Sequence, residues 1–159
     1  MANAILNKPD GRILCIPTRS IFAYLSTALD PVNPEREGTP PKSYLVTTFK
    51  GVSLFEMADT AVGVEETVRG FKEAKKKALT LRKSAEPEMV RLQCGDDYSL
   101  FPAAAIEMFE QKVFKTADGE DDPRIRVNIT YPDGTINPVD ITDNDYNLHL
   151  LTEIKSKGD

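Results

Sequence analysis

The sequence predicts an α+β fold, in which a mainly antiparallel sheet is covered by two or three helices within a single domain of residues 1–159. Three observations predict this class. Short β-branched and aromatic runs are bounded by turn residues, and one long segment carries apolar residues at helical spacing. Two alternating runs also flank a Tyr-Pro-Asp-Gly turn, which is typical of an antiparallel hairpin.

The first fifty residues contain two predicted strands and one segment that is open to two interpretations. Residues 12–16 form an apolar run that follows a Pro-Asp-Gly turn and ends at Pro17, which predicts a short buried strand. Residues 18–29 have apolar side chains at helical spacing, but their aromatic, Ser and Thr content suits a strand equally well. Residues 43–50 are β-branched and aromatic and predict a central strand that ends at Gly51.

A proline-rich stretch separates these segments. Residues 31–42 contain four prolines, which lack the backbone donors that helices and ladders need, so an extended and exposed loop is predicted. A linker between domains is the competing interpretation. The segment before it is too short for a domain of its own, and a single domain is therefore expected.

The rest of the chain is predicted to contain two helices, a strand and a hairpin. Helical spacing predicts one helix over residues 64–83, and residues 89–94 alternate as a strand. A second helix is predicted over residues 99–115, because proline stands near its start and the apolar residues that follow recur at helical spacing. Residues 124–141 predict a hairpin, and an apolar segment after it is expected to dock before a frayed tail at 155–159. No internal repeat is evident.

The net charge of −5 is unevenly distributed along the chain. The charge is 0 over residues 1–63, +3 over residues 64–91 and −8 over residues 92–159. Because charges act over about a Debye length, ~8–10 Å, an acidic average does not exclude a local basic surface.

The predicted helix at 64–83 carries the first candidate site. At about 100° per residue, four basic side chains fall on one flank and form a stripe that could follow a phosphate backbone. They are Arg69, Lys72, Lys76 and Lys83. The same stripe also fits a solvated face, or a surface that docks an acidic patch on another subunit.

The predicted hairpin carries the second candidate site. If Ile125 faces the core, Arg124 and Arg126 project from the opposite face, with Tyr131 at the adjoining turn. Arginine with a nearby aromatic ring suits single-stranded nucleic acid, since arginine binds phosphate and the ring stacks on a base. The competing interpretation pairs both arginines with the acidic residues just upstream, Glu120, Asp121 and Asp122.

A polar loop at residues 33–38, a strand at residues 42–50 and the amphipathic helix follow one another along the chain. This order resembles the N-terminal half of the OB-fold single-stranded-DNA-binding proteins of tailed phages, over about a third of the chain. The resemblance implies a possible OB-like barrel and a groove lined by aromatic and basic side chains. The implied groove residues are Tyr44, Lys42, Lys50, Arg124 and Arg126.

Catalytic and metal motifs are not found in the sequence. No nucleophile or phosphate-loop pattern occurs, and a calcium-loop match at Asp143 fails because Leu148 stands where glycine is required. His149 lacks partners at zinc-ligand spacing, and no cofactor is expected. Cys15 and Cys94 are predicted to be buried, reduced thiols.

The predicted function is therefore non-enzymatic. The leading hypothesis is binding of single-stranded nucleic acid through the basic helix stripe and the arginine-bearing hairpin. The alternative is a virion structural protein, or an assembly or adaptor protein, that acts through protein–protein contacts, either with other proteins or within a homo-oligomer. The sequence shows neither a secretory signal nor a run of about 18 apolar residues, so we expect a cytoplasmic protein without a membrane partner.

Overall fold

A computed structural model describes residues 2–27, 42–49, 51–79, 88–116 and 118–157 of the chain. Lys50, Lys83 and all of the proline-rich loop except Lys42 lie outside the described residues. The same holds for the last four residues of the helix predicted at 64–83.

The described residues contain ten strands and two α-helices. The strands are β1 (Asn3–Asn7), β2 (Ile13–Pro17), β3 (Ile21–Ser26), β4 (Ser43–Thr47), β5 (Ser53–Met57), β6 (Met89–Cys94), β7 (Asp97–Pro102), β8 (Ile106–Lys115), β9 (Asp121–Thr130) and β10 (Ile136–Thr142). The helices are α1 (Ala61–Leu79) and α2 (Asp145–Lys157), and two short 3₁₀ turns lie at Thr18–Ser20 and Ala103–Ala105.

Every strand pairing is antiparallel. A five-stranded sheet has the order β5-β4-β3-β7-β6, a three-stranded sheet has the order β10-β9-β8, and β1 pairs with β2 alone. No closed barrel forms among the strands that the structure describes. The predicted α+β class, with a mainly antiparallel sheet, is confirmed.

The five-stranded sheet is buried on both faces. On one face Tyr24 and Leu45 pack with Val64 and Val68 of α1 and with the β1–β2 hairpin. On the other face Phe101 and its neighbours pack against the three-stranded sheet and α2. Because both cores use alternate residues of the same strands, the five-stranded sheet holds the domain together.

The described elements form an internal structural repeat that is not evident in the amino-acid sequence. The described part of residues 3–79 forms a hairpin (β1–β2), a 3₁₀ turn, three strands (β3–β5) and α1. The described part of residues 89–157 forms a hairpin (β6–β7), a 3₁₀ turn, three strands (β8–β10) and α2. We call these segments the N-terminal repeat and the C-terminal repeat. The element order is the same in both.

The two repeats also agree in local geometry at the 3₁₀ turns. Pro17 and Pro102, which lie 85 positions apart, precede the turns with φ/ψ of −60°/131° and −62°/133°. The first turn residue donates its N–H to the residue just before the first strand of each repeat, from Thr18 to Ala2 O at 3.0 Å and from Ala103 to Glu88 O at 2.9 Å. A register irregularity then follows in both repeats, between Ile21 and Ala23 and between Ile106 and Met108.

The helices of the two repeats begin in the same way. Thr60 Oγ1 accepts a hydrogen bond from Gly63 N at 3.1 Å, and Asn144 Oδ1 accepts one from Asn147 N at 2.8 Å. Both are N-caps, which satisfy a backbone donor of the first helical turn. This agreement of sheet, turn and cap supports one supersecondary unit used twice.

Several predicted elements are confirmed, with shifted ends. The strands predicted at 12–16, 43–50 and 89–94 correspond to β2, β4 and β6, and the hairpin predicted at 124–141 corresponds to β9 and β10. Its turn needs Gly134, whose φ of 89° is accessible to few other residues. The ambiguous segment at 18–29 is a 3₁₀ turn followed by β3 as far as Ser26.

Two predicted elements are wrong. The helix predicted over 99–115 is instead the end of β7, a 3₁₀ turn and β8, because β8 pairs with β9 along its length, from Ile106 with Ile129 to Lys115 with Asp121. The frayed tail is also wrong as far as residue 157. Lys155 Nζ donates to the backbone oxygen of Glu107 at 3.1 Å and thereby ties the last turns of α2 to β8.

Neither described helix is both long enough and apolar enough to cross a membrane.

Candidate functional site

The arginines of the predicted hairpin lie in an ion-pair cluster on β9. Arg126 donates to both carboxylate oxygens of Asp140, from Nε at 2.9 Å and from a terminal nitrogen at 3.2 Å. Arg124 donates twice to Asp122 Oδ2, at 3.0 and 2.7 Å, and lies 3.7 Å from Asp140 Oδ2. Asp140 comes from the neighbouring strand β10, where it stands directly opposite Arg126.

An aromatic ring packs against this cluster. Both guanidinium groups lie over Phe114 of β8, with centroid distances of 5.5 Å for Arg124 and 5.0 Å for Arg126. The hydrogen bond to Asp140 raises the pKa of Arg126 above its ordinary value. The cluster therefore holds charged arginines against a carboxylate and a ring that lie within the same sheet.

Arg124 and Arg126 lie on the face of β9 opposite Ile125, as the alternation predicts. Ile125 faces the core as predicted, but Arg124 is only 5% exposed. The competing interpretation, pairing with upstream acids, is confirmed for Asp122. Asp140, which bridges both arginines, lies on a different strand and was not anticipated.

Tyr131 is also buried rather than available at a turn. It is 8% exposed, and its ring meets the edge of Phe22 at a centroid distance of 5.6 Å. Burial, and then the charge of Asp133, raises the pKa of the Tyr131 phenol. The ring is therefore a core residue that is closed to base stacking.

The raised pKa of Tyr131 predicts a loss of stability in alkali. An unfolded phenol ionises near pH 10, whereas the folded phenol keeps its proton to higher pH, so the unfolded state gains free energy first as the pH rises. We expect the unfolding free energy of the wild type to fall relative to that of Tyr131→Phe between about pH 8 and about pH 11. Urea unfolding of both proteins measures this difference, and a constant difference would contradict the assignment.

The basic stripe of the predicted helix is described in part. Arg69 lies on the exposed surface of α1 and donates from Nε to Glu65 Oε1 at 3.0 Å, one turn earlier. Lys72 lies on the same helix, three residues farther along. The side chain of Lys76 falls outside what the structure describes, as does all of Lys83.

The residues that the phage resemblance implies are divided between sheets. Lys42 and Tyr44 lie at and in β4, within the five-stranded sheet, whereas the arginine cluster lies in the three-stranded sheet. Lys42 Nζ lies 3.7 Å from Glu56 Oε1. Lys42 and Glu56 line an open cleft of about 800 Å³. The other charged residues that line this cleft, among those described, are Asp59, Asp96 and Asp97. The acidic lining disfavours a phosphate backbone.

Among the described residues, no group of three or more His, Cys, Asp or Glu side chains is arranged so that it could hold a metal ion. Cys94 is buried as predicted, whereas Cys15 is exposed, which corrects that part of the prediction. Neither Cys15 nor Cys94 forms a disulfide.

Two strand edges differ between the repeats. In the five-stranded sheet, β3 of the N-terminal repeat pairs with β7 of the C-terminal repeat, with Tyr24 opposite Leu100. The matching strands, β8 for β3 and β2 for β7, are edge strands in the described part of the chain. Within the described part of the chain, β2 and β8 therefore have an unpaired edge at the position where their counterparts β7 and β3 pair with each other.

The open edges carry exposed apolar side chains. On the β1–β2 hairpin, Ile5 and Ile13 are exposed, and β8 exposes Met108 and Val113. Ile13 is 65% exposed and Val113 is 63% exposed. The sequence does not indicate this surface, because residues 110–115 lack the alternation of apolar and polar side chains that predicts a half-buried strand.

Comparisons with protein-family models, curated protein sequences and solved structures give no match for this chain.

Proposed function

We propose that the protein is a non-enzymatic assembly protein that acts through protein–protein contacts at the open edges of β2 and β8. One observation carries the proposal: β2 and β8 are edge strands among the described residues, although their counterparts β7 and β3 pair with each other. An open edge presents a row of unpaired backbone N–H and C=O groups that a partner strand can pair with.

The side chains of β2 favour this role. Its sequence is Ile-Leu-Cys-Ile-Pro, with no charged residue. Soluble proteins usually protect exposed edges with charged residues, bulges or covering segments. An uncharged edge strand with an exposed isoleucine is therefore suited to pairing with a partner. A cytoplasmic assembly component, such as a virion protein, fits these features.

Single-stranded nucleic-acid binding, as in the phage proteins that the sequence resembles, is the second candidate. The exposed surface of α1 favours it, since the Arg69 side chain is 55% exposed and Lys72 lies one turn farther along. The arginine cluster and Tyr131 do not contribute to such a surface, because their charges and ring are engaged within the protein.

Light scattering with edge variants tests the assembly function. We expect the wild type to exceed the 17.6 kDa mass of one chain as its concentration rises. Val113→Lys should return it to the monomer mass, because a charge on the edge opposes strand addition. Ile136→Lys is the matched control, since Ile136 is 61% exposed on β10, whose edge is open like that of its counterpart β5.

A monomeric wild type at all concentrations would contradict the assembly function. Light scattering also distinguishes the assembly function from nucleic-acid binding, when a single-stranded oligonucleotide is added at about 50 mM salt, where phosphate contacts are strong. A mass increase that needs the oligonucleotide would favour nucleic-acid binding.

A further inference from the structure

We infer that the partner at the open edges is a second copy of this chain, joined head to tail by β2 of one copy and β8 of the next. The inference rests on the proposed function and specifies its partner. The template for the contact is the joint between the two repeats, which the chain already contains.

The template fixes which residues meet. Within the chain, β3 and β7 pair antiparallel with Tyr24 opposite Leu100. Equivalent positions of the two repeats lie 85 residues apart, as Pro17 and Pro102 do. By this shift, Phe109 is the counterpart of Tyr24, and Cys15 is the counterpart of Leu100. In the inferred contact Phe109 of one copy therefore lies opposite Cys15 of the next. Two positions along the antiparallel pair, Gln111 lies opposite Ile13.

Burial differs between the two hairpins as this contact requires. Leu100 is 5% exposed, because α1 and β3 of the N-terminal repeat cover that face of the β6–β7 hairpin. Its counterpart Cys15 is exposed, and so is Ile13, the counterpart of the half-buried Tyr98. The β1–β2 hairpin thus presents to solvent the face that its counterpart buries.

The contact between copies is expected to be weaker than the joint within the chain. The shift of 84 positions that relates Thr60 to Asn144 places Thr152 and Lys155 of α2 where α1 has Val68 and Phe71. The surface of α2 against which the β1–β2 hairpin of the next copy would pack is therefore more polar than the matching surface of α1, and less apolar area is buried there. Assembly should depend on concentration. Because β2 and β8 are different surfaces, the contact is heterologous and generates a ring or an open chain of copies.

Disulfide trapping between two singly substituted proteins tests the register. In a Cys15→Ser background, a tagged Ile13→Cys protein is mixed with an untagged Gln111→Cys protein and treated with diamide, which takes up the two protons and two electrons released by the thiols. Facing residues of an antiparallel pair lie about 4.5–5.5 Å apart at Cα, within the range that a disulfide spans. We expect a covalent dimer that contains one chain of each kind.

The control replaces Gln111→Cys with Ile136→Cys, an equally accessible thiol on the opposite edge of the same sheet. We expect at least a tenfold lower yield of the mixed dimer for that pair. If the wild type assembles but tagged Ile13→Cys links to itself, or links equally to Ile136→Cys, the head-to-tail register is overturned and the assembly function stands. If the wild type is monomeric at every concentration, both the head-to-tail contact and the assembly function are contradicted.

Discussion

Replacing Asn147 by alanine is expected to cost about 3–5 kcal/mol of unfolding free energy, because three partly buried backbone groups lose their partner together. Asn147 is fully buried at the start of α2. Its Oδ1 accepts from Gln93 N, and its Nδ2 donates to Gln93 O and Thr142 O, each at 2.8 Å. The side chain thus joins α2 to an edge of β6 and to the end of β10.

Differential scanning calorimetry measures this loss as a fall in Tm on the order of 10 °C, given the usual 2–4 °C per kcal/mol for a chain of this size. His149→Ala, two residues along the same helix, is the matched control, since the His149 side chain is 82% exposed. We expect that control to change Tm by little. Equal effects of the two substitutions would show that the Asn147 hydrogen bonds do not hold α2 in place.

Replacing Asp140 by alanine is expected to cost a similar amount, about 3–5 kcal/mol, because it leaves buried arginine charge without the carboxylate that both guanidinium groups share. The Asp140 side chain is 4% exposed and the Arg124 side chain 6% exposed. Asp122→Ala should cost less, because the Asp122 side chain is 25% exposed and water can replace part of its contact with Arg124.

Replacing Asp140 and both arginines by apolar residues separates the loss of attraction from the effect of an uncompensated buried charge. We expect a variant with Asp140→Leu, Arg124→Met and Arg126→Leu to recover most of the stability that Asp140→Ala loses, since apolar side chains of similar volume remove the desolvation cost. Urea unfolding of the three proteins gives the comparison. If the triple variant is as unstable as Asp140→Ala, the cluster stabilises the sheet through its geometry rather than through charge compensation.

Elements whose signal is contained in neighbouring residues could be predicted from the sequence. Residues 124–130 alternate apolar and polar side chains, and Gly134 supplies the positive φ of the turn, so the β9–β10 hairpin follows from local chemistry alone. The amphipathic pattern likewise predicts α1. In both cases the residues that determine the element also form it.

The segment at 99–115 could not be assigned this way. Pro102, three alanines and the apolar residues that follow fit helical spacing, and alanine has the highest helix propensity. β8 forms because β9 pairs with it over its whole length, and that pairing outweighs the local preference. A strand that owes its conformation to a partner farther along the chain gives little local signal.

The candidate sites likewise depend partly on neighbouring residues and partly on residues that are distant in the sequence. The sequence identifies Arg124 and Arg126 as strand residues on one face, but the charge that neutralises them comes from Asp140, fourteen positions from Arg126 on another strand. The repeat is hidden for a related reason: Thr60 and Asn144 do the same capping with different side chains, so backbone geometry is retained where residue identity is not. The sequence alone therefore determined the class of fold, the hairpin and the long helix. Strand pairing across the chain decided which charges are neutralised and which of the described strands lie at sheet edges, because backbone hydrogen bonds between distant segments leave no periodicity in the sequence.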